Sequence, residues 1–293
     1  MTQDDATQES VTRDGATGRN GRRGVRAERV ADCIADSAGG ITFDVAGAAG
    51  PAAALVLRRR DGAPADGTDR EVRLPLTGGG GPGRALRAVL PSTVHLAEGY
   101  WDVRTGADGE HAVRPGVRDV RALVDRVPGQ DRVTARIPYP TGDGRLAVRS
   151  WVRLPHAEAG AIRCDRGTMT VGGVLYGAEA RPGAVAEARL SGGGRVHRVP
   201  VTGRGSSFAF TLPYALLADV PVERRLGWDL WLRPAPDADG IRISRILDDI
   251  WDKRNILVYP RFVRPSPDAW SATPCYTADN GLRVRLEPGP GRH

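Results

Sequence analysis

Short runs of alternating apolar and polar residues recur along the chain, punctuated by Gly, Pro, Asn and Asp. Ile41-Thr42-Phe43-Asp44-Val45 is a clear case, and alternation with period two puts every second side chain on one face of a strand. Ala54 to Arg58, Glu71 to Leu76, Ala85 to Leu90, Gly99 to Arg104, Val117 to Leu123, Val133 to Tyr139 and Arg145 to Arg149 read the same way. Turn signals separate them: Asp61-Gly62, the glycine run from Gly78 to Gly83, Asp108-Gly109 and Thr141-Gly142-Asp143-Gly144. Helical periodicity is nearly absent. One helical turn is expected at Tyr214 to Ala218 after Pro213, with a counterpart from Ser92 to Ala97 that begins with two candidate N-caps.

The pattern is written twice. Trp101-Asp102 returns as Trp228-Asp229, and Leu74-Pro75-Leu76-Thr77-Gly78 as Val199-Pro200-Val201-Thr202-Gly203. Ile41-Thr42-Phe43 pairs with Met169-Thr170-Val171, the Leu55 strand with Ala186 to Leu190, and Leu86 to Pro91 with Phe208 to Pro213. Val117 to Asp125 aligns with Ile241 to Asp249, Tyr139-Pro140 with Tyr259-Pro260, and Asp143 to Arg149 with Asp279 to Arg285. The offset is 125 at Leu74, 127 at Trp101 and 124 at Val117 and reaches 136 at Asp143, which predicts a longer loop near Arg264 to Thr273. So long a repeat is a duplicated domain, since solenoid units run roughly 20–50 residues. Many short strands with frequent turns predict an all-β chain of two tandem homologous β-sandwiches of immunoglobulin-like type. The expected bounds are a disordered tail over 1–29 and sandwiches over 30–152 and 153–293. Trp101 and Trp228 should face the cores, with Asp102 and Asp229 turned outward or hydrogen-bonded to a turn.

Composition changes this picture little. The 293 residues suit one large or two ordinary domains, and 40% hydrophobic with 26% charged residues is a globular profile. Met1 to Glu28 lacks large apolar residues and is expected to be disordered, with the Arg19 to Arg26 run as a solvated basic tail. Net charge is +7, and Lys253 is the single lysine among 42 basic residues. A GC-rich genome that writes Arg wherever a solvated cation is needed explains this excess. The second explanation is a polyanion partner: nucleic acid, teichoic acid or a membrane surface. Cys33, Cys164 and Cys275 are odd in number and widely spaced, which predicts neither a disulfide framework nor a zinc site and fits a reducing cytoplasm. No apolar leader and no run of 18 apolar residues is present. The expected place is the cytoplasm, with a peripheral position at the inner membrane face as the alternative.

No catalytic motif stands out. His95, His111, His156, His197 and His293 lack metal-ligand spacing. No GxSxG elbow, Walker A loop or strand–GxGxxG–helix unit occurs. No metal and no cofactor is expected. Asp248, Asp249 and Asp252 form the nearest thing to a carboxylate cluster, able to hold a ligand or simply salt-bridged by Lys253 and Arg254. Trp251, Tyr259, Phe262, Trp270 and Tyr276, interleaved with Lys253, Arg254, Arg261 and Arg264, suit stacking on a sugar or base. The same rings would equally cover a sandwich end and a domain interface.

Asp248 to Lys253, Val258-Tyr259-Pro260 and Cys275 to Val284 together resemble the ending of C-terminal β-sandwich modules appended to actinobacterial glycosyltransferases and glycerophosphotransferases of the wall-polymer type. The likeness spans about residues 165–290 and, through the repeat, extends weakly over 30–150. It implies an accessory module that binds a glycan or anionic cell-wall polymer, or scaffolds a glycosyltransferase-type partner. The candidate ligand residues are Trp251, Lys253, Arg254, Tyr259, Trp270, Tyr276, Asp248, Asp249 and Asp252, and nucleic acid is not the expected ligand. Two alternatives stay open: a transferase acting on a small or sugar substrate at the second domain, and an assembly or oligomerisation module.

Overall fold

Alternating burial marks many strands of the computed structural model, which describes residues 28–47, 53–60, 70–78, 85–129, 132–219, 221–264 and 269–289. Residues 1–27 of the expected disordered tail, the Asp61-Gly62 turn and most of the Gly78 to Gly83 run lie outside these residues. The fold is nearly all β.

In the N-terminal half the strands are β1 (Val30–Ala35), β2 (Ile41–Ala46), β3 (Ala54–Arg59), β4 (Glu71–Pro75), β5 (Leu86–Leu90), β6 (Gly99–Gly106), β7 (His111–Ala112), β8 (Arg114–Asp119), β9 (Val133–Pro140) and β10 (Leu146–Arg153). They form one sheet of order β5-β2-β1-β8 and another of order β4-β3-β6-β10-β9, with β7 on β6. The C-terminal half has β11 (His156–Asp165), β12 (Thr168–Tyr176), β13 (Val185–Leu190), β14 (Val196–Pro200), β15 (Ser207–Pro213), β16 (Leu226–Arg233), β17 (Ile241–Ser244), β18 (Phe262–Arg264), β19 (Trp270–Tyr276) and β20 (Leu282–Pro288). Their order repeats the first: β15-β12-β11-β17, then β14-β13-β16-β20-β19 with β18 at the edge. Here β17 bridges both layers, so all ten strands are hydrogen-bonded into one sheet. In each half the first strand pairs in parallel with a late strand, β1 with β8 and β11 with β17.

The apolar faces meet in two clusters. One contains Phe43, Leu55, Trp101, Leu146 and Val148, the other Val171, Ala186, Trp228, Leu282 and Val284. Trp101 and Trp228 are fully buried at matched places, opposite Val148 and Val284. Asp102 and Asp229 point outward to arginines, as their alternation requires. One helical turn, α1 (Tyr214–Leu217), follows Pro213, whereas Ser92 to Ala97 forms a turn without a helix.

Register corrects three expectations. Thr105 pairs with His111 and the equivalent Leu232 with Ile241, so Ile241 corresponds to His111 and the offset is 130. Val117 to Asp119 is the end of β8, and the chain after it forms a 3-10 turn at Arg121–Asp125, not a longer strand. Tyr139 faces Ala147 as Cys275 faces Arg283, so Tyr139 corresponds to Cys275, at offset 136, and Tyr259 has no such partner. The offset therefore grows by six between β17 and β19, which places the extra length in the 245–269 segment rather than only near Arg264 to Thr273.

That segment joins the two halves. Ile246, Leu247 and Trp251 pack into the N-terminal cluster, and Trp251 stacks on Tyr139 at 4.1 Å and 24°. Glu158 accepts hydrogen bonds from the backbone N–H of Ile246 and Leu247 at 3.0 Å each. Asp279 takes Arg153 at 2.8 Å and a close bond from Arg149, while Glu98 takes Arg153 at 3.0 Å.

Candidate functional site

The Asp248–Lys253 segment is pinned from both sides. Lys253 is fully buried, and its Nζ donates to Asp248 Oδ1 and to the Ile250 carbonyl, both at 2.7 Å. Arg245 donates to the other oxygen of Asp248 at 3.0 Å. Burial pushes the Lys253 ammonium below its usual value and the Asp248 charge opposes the shift. Asn280 holds the loop from below, with φ of 55°, a left-handed conformation Asn tolerates. Its side chain accepts from the Lys253 N–H at 3.2 Å and donates to the Trp251 carbonyl at 3.1 Å. Gly144 takes the same turn position in the N-terminal half, with φ of 75°.

The candidate aromatics separate accordingly. Trp270 and Tyr276 are buried core residues, Tyr259 leans on Tyr276 at 6.3 Å, and Trp251 lies against Tyr139 at the joint. Asp252 pairs with Arg254 at 2.6 Å, and the hydrogen bond from Arg254 holds its carboxyl below the usual range. Asp249 is half-buried. Of the nine candidates, Arg254 and Tyr276 reach a cleft, and the others form the joint and core around it.

Sequence reasoning missed that cleft. It measures about 680 Å³ and is lined by Arg224, Arg225, Arg242, Arg254, Arg283 and Arg285 together with Ser191, Gly227, Thr277 and Asp279. Arg242 comes from β17, Arg283 and Arg285 come from outward positions of β20, and Arg224, Arg225 and Arg254 come from loops. Asp229 organises the floor: Arg283 reaches both its oxygens at 2.8 and 3.0 Å, Arg242 reaches one at 3.2 Å, and Ser191 donates at 2.8 Å. Burial alone would raise the Asp229 carboxyl, but these bonds bring it below the usual range. Arg225 pairs with Glu287 at 2.9 Å. Arg285 Nε lies 3.4 Å from Glu287 yet is buried without a hydrogen bond, and Arg242 Nε is likewise unpartnered. A buried donor left unmatched costs about 1–3 kcal/mol.

The cleft is one end of a larger arginine face. Rows of cross-strand partners run Arg198–Glu187–Trp231–Arg242 and Arg189–Asp229–Arg283, with Arg285 opposite Gly227 and Arg233 opposite Val185. On these strands six arginines (Arg189, Arg198, Arg233, Arg242, Arg283, Arg285) share one surface with three carboxylates (Glu187, Asp229, Glu287). Glu187 is itself buried, and Arg189, Arg198 and Arg233 converge on it at 2.6, 3.1 and 2.9 Å. Burial opposes its ionisation, but the arginine hydrogen bonds outweigh burial and lower its carboxyl to about 2. Arg189 also covers the Trp231 ring at 4.3 Å.

No family model matches the chain, and no curated protein matches it. Two solved structures of S. aureus TarS are similar to part of it. One, of residues 217–571, gives a TM-score of 0.37 at 13% identity over 47% of this chain and 39% of that one. The other gives 0.38 at 13% identity over 56% and 29%. The chain thus spans less than two-fifths of the length of either, and likeness this loose assigns neither a family nor an activity. No helix among the described residues is long and apolar enough to cross a membrane.

Proposed function

We propose that the chain is a non-catalytic binding module for a flexible anionic polymer, held on the arginine face of the C-terminal half. The observation that carries this reading is the charge balance of that face, six arginines to three carboxylates on its strands, with Arg224, Arg225 and Arg254 against Asp279 added at the cleft. Concentrated positive charge raises the local concentration of a polyanion and speeds its capture. Guanidinium forks match tetrahedral oxyanions in pairs of hydrogen bonds. Neutral glycan has less to hold, since Trp270 is in the core, Tyr276 meets the cleft while almost wholly buried, and Trp231 is covered by Arg189. The same lack of bare rings disfavours nucleic acid, whose single strands bind through stacked bases as well as charge.

The module is read as two copies of one immunoglobulin-like sandwich, over 30–152 and 153–293, in line with the repeated strand order. Following the C-terminal motif, it would present its polymer to a separate glycosyltransferase-type partner. The transferase alternative loses support because Asp248 and Asp252 are engaged by Lys253, Arg245 and Arg254.

The test is a titration of the full chain with inorganic polyphosphate, single-stranded DNA and neutral dextran at several salt concentrations. Polyphosphate should bind with affinity that falls steeply as salt rises, and dextran should not bind. Tighter binding of DNA than of polyphosphate at equal charge, or salt-insensitive binding of dextran, contradicts the proposal.

A further inference from the structure

The two halves differ sharply at one pair of equivalent positions. In the N-terminal half Tyr100 on β6 faces Arg149 on β10, and the guanidinium lies 4.4 Å from the Tyr100 ring. In the C-terminal half the same register sets Gly227 opposite Arg285. The neighbouring position changes too: Ala147 opposite Asp102 becomes Arg283 opposite Asp229. A tyrosine that plugs the first half is therefore exchanged for a glycine and one more arginine, and the cleft opens where the ring would lie. Gly227 has ordinary backbone and needs no positive φ, and a Cβ there would stand 3.2 Å from the Arg283 side chain. Its value here is the space it leaves.

We propose that this cleft is a discrete site for one phosphate ester of a polyhydroxy compound, whether a free small molecule or the end group of a polymer. The inference rests on the polyanion reading above and adds a ligand class and a one-to-one stoichiometry. The size suits a small ligand, since such pockets run about 300–1,000 Å³. The lining is polar. Arg285 and Ser191 flank Gly227 toward one end, and Arg285 Nε brings a buried donor with no hydrogen bond. Thr277 and Asp279 offer hydroxyl and carboxylate partners from the turn between β19 and β20. Asp279 is kept ionised: burial opposes its charge, but Arg153 and Arg149 hold its carboxyl below the usual range. The Thr277 hydroxyl there can match a hydroxyl of the ligand.

Calorimetry on the full chain tests this with glucose 6-phosphate, glucose, inorganic phosphate and glucose 6-sulfate as probes. The expected result is one glucose 6-phosphate per chain, bound more tightly than inorganic phosphate, with no binding of glucose. Gly227→Tyr with Arg283→Ala rebuilds the Tyr100–Ala147 pair and should abolish that binding. Arg285→Met, which leaves the backbone and packing alone, should weaken it about tenfold, the scale of one charge-assisted hydrogen bond. Equal binding of glucose 6-sulfate extends the ligand class to sulfate esters and overturns the restriction to phosphate. If polyphosphate binds and glucose 6-phosphate does not, the discrete site is wrong and the face stands. If neither binds, both readings fall. Glucose 6-phosphate affinity unchanged in both variants also overturns the site.

Discussion

The outer faces of the two large-sheet layers share a strand order and differ in how many arginines they carry and in what covers them. On β3, β4 and β6, Arg58, Arg73 and Arg104 stand among Glu71 and Asp102, and the fourth arginine, Arg149, is buried at the joint. On the C-terminal counterpart, Gly106 has become Arg233, Ala112 has become Arg242 and Ala147 has become Arg283. Val56, fully buried, has become Glu187 with three arginines around it. The lesson is that the duplicated scaffold is kept by its inward residues, while the outward ones are free to diverge. One face was used to dock the other half through Tyr139 and Trp251. The other was left open and filled with arginine.

The largest expected effect tests the shared part. Trp101→Ala and Trp228→Ala should each cost about 3–5 kcal/mol, because both remove a fully buried ring at an equivalent place. Chemical denaturation checks this, and a cost of under 1 kcal/mol in either would break the structural equivalence. Next comes Glu187. Its carboxyl at about 2 lies below the unfolded value near 4.3, so its contribution is complete above about pH 4.3 and is lost as pH falls through 2. Glu187→Gln should cost about 2 kcal/mol at pH 7, the scale of hydrogen bonds to a charged group, and should flatten stability between pH 5 and 2. Melting across that range would show it, and an unaltered acid slope would remove Glu187 as its cause.

The joint should respond somewhat less. Asp279→Asn weakens the anchor shared by Arg149 and Arg153, for about 1–2 kcal/mol after allowing for its part exposure. Hydrogen exchange should then rise in the 246–251 loop more than in β13 or β3. The smallest effect on stability, within about 0.5 kcal/mol, is expected for Arg198→Ser with Arg225→Ser, both well exposed. Their effect on polyphosphate binding should be clear: a salt slope lower by about one for each phosphate that is no longer neutralised.

Much of the fold was readable along the chain because inward alternation is local. The Trp-Asp pairs, the Pro213 helical turn and the Thr141 to Gly144 turn are all where their residues placed them. The slips come from similar short patterns that compete. Ile241-Arg242-Ile243 can be laid on Val117-Arg118-Asp119 by an apolar residue followed by Arg, and only cross-strand pairing shows that it stands at His111. Tyr259-Pro260 matches Tyr139-Pro140 in letters, but the added residues before β19 move the true counterpart to Cys275. The arginine face was hidden for a different reason. Arg189, Asp229 and Arg283 lie 40 and 54 positions apart and become neighbours only once register is known. The aromatic candidates misled because a ring in an alternating strand, such as Trp270 or Tyr276, is as suited to the core as to a surface.

The most direct measurement compares two matched sets of substitutions in one polyphosphate titration at low and physiological salt. Arg198→Ser with Arg225→Ser and Arg285→Ser strips the C-terminal face, and Arg58→Ser with Arg73→Ser and Arg104→Ser strips its N-terminal counterpart. The account predicts that the first set loses most of the binding and its salt dependence while the second binds like the unmodified chain. Equal losses from both sets would mean that overall charge, not the arginine face, attracts the polymer, and would contradict the proposal.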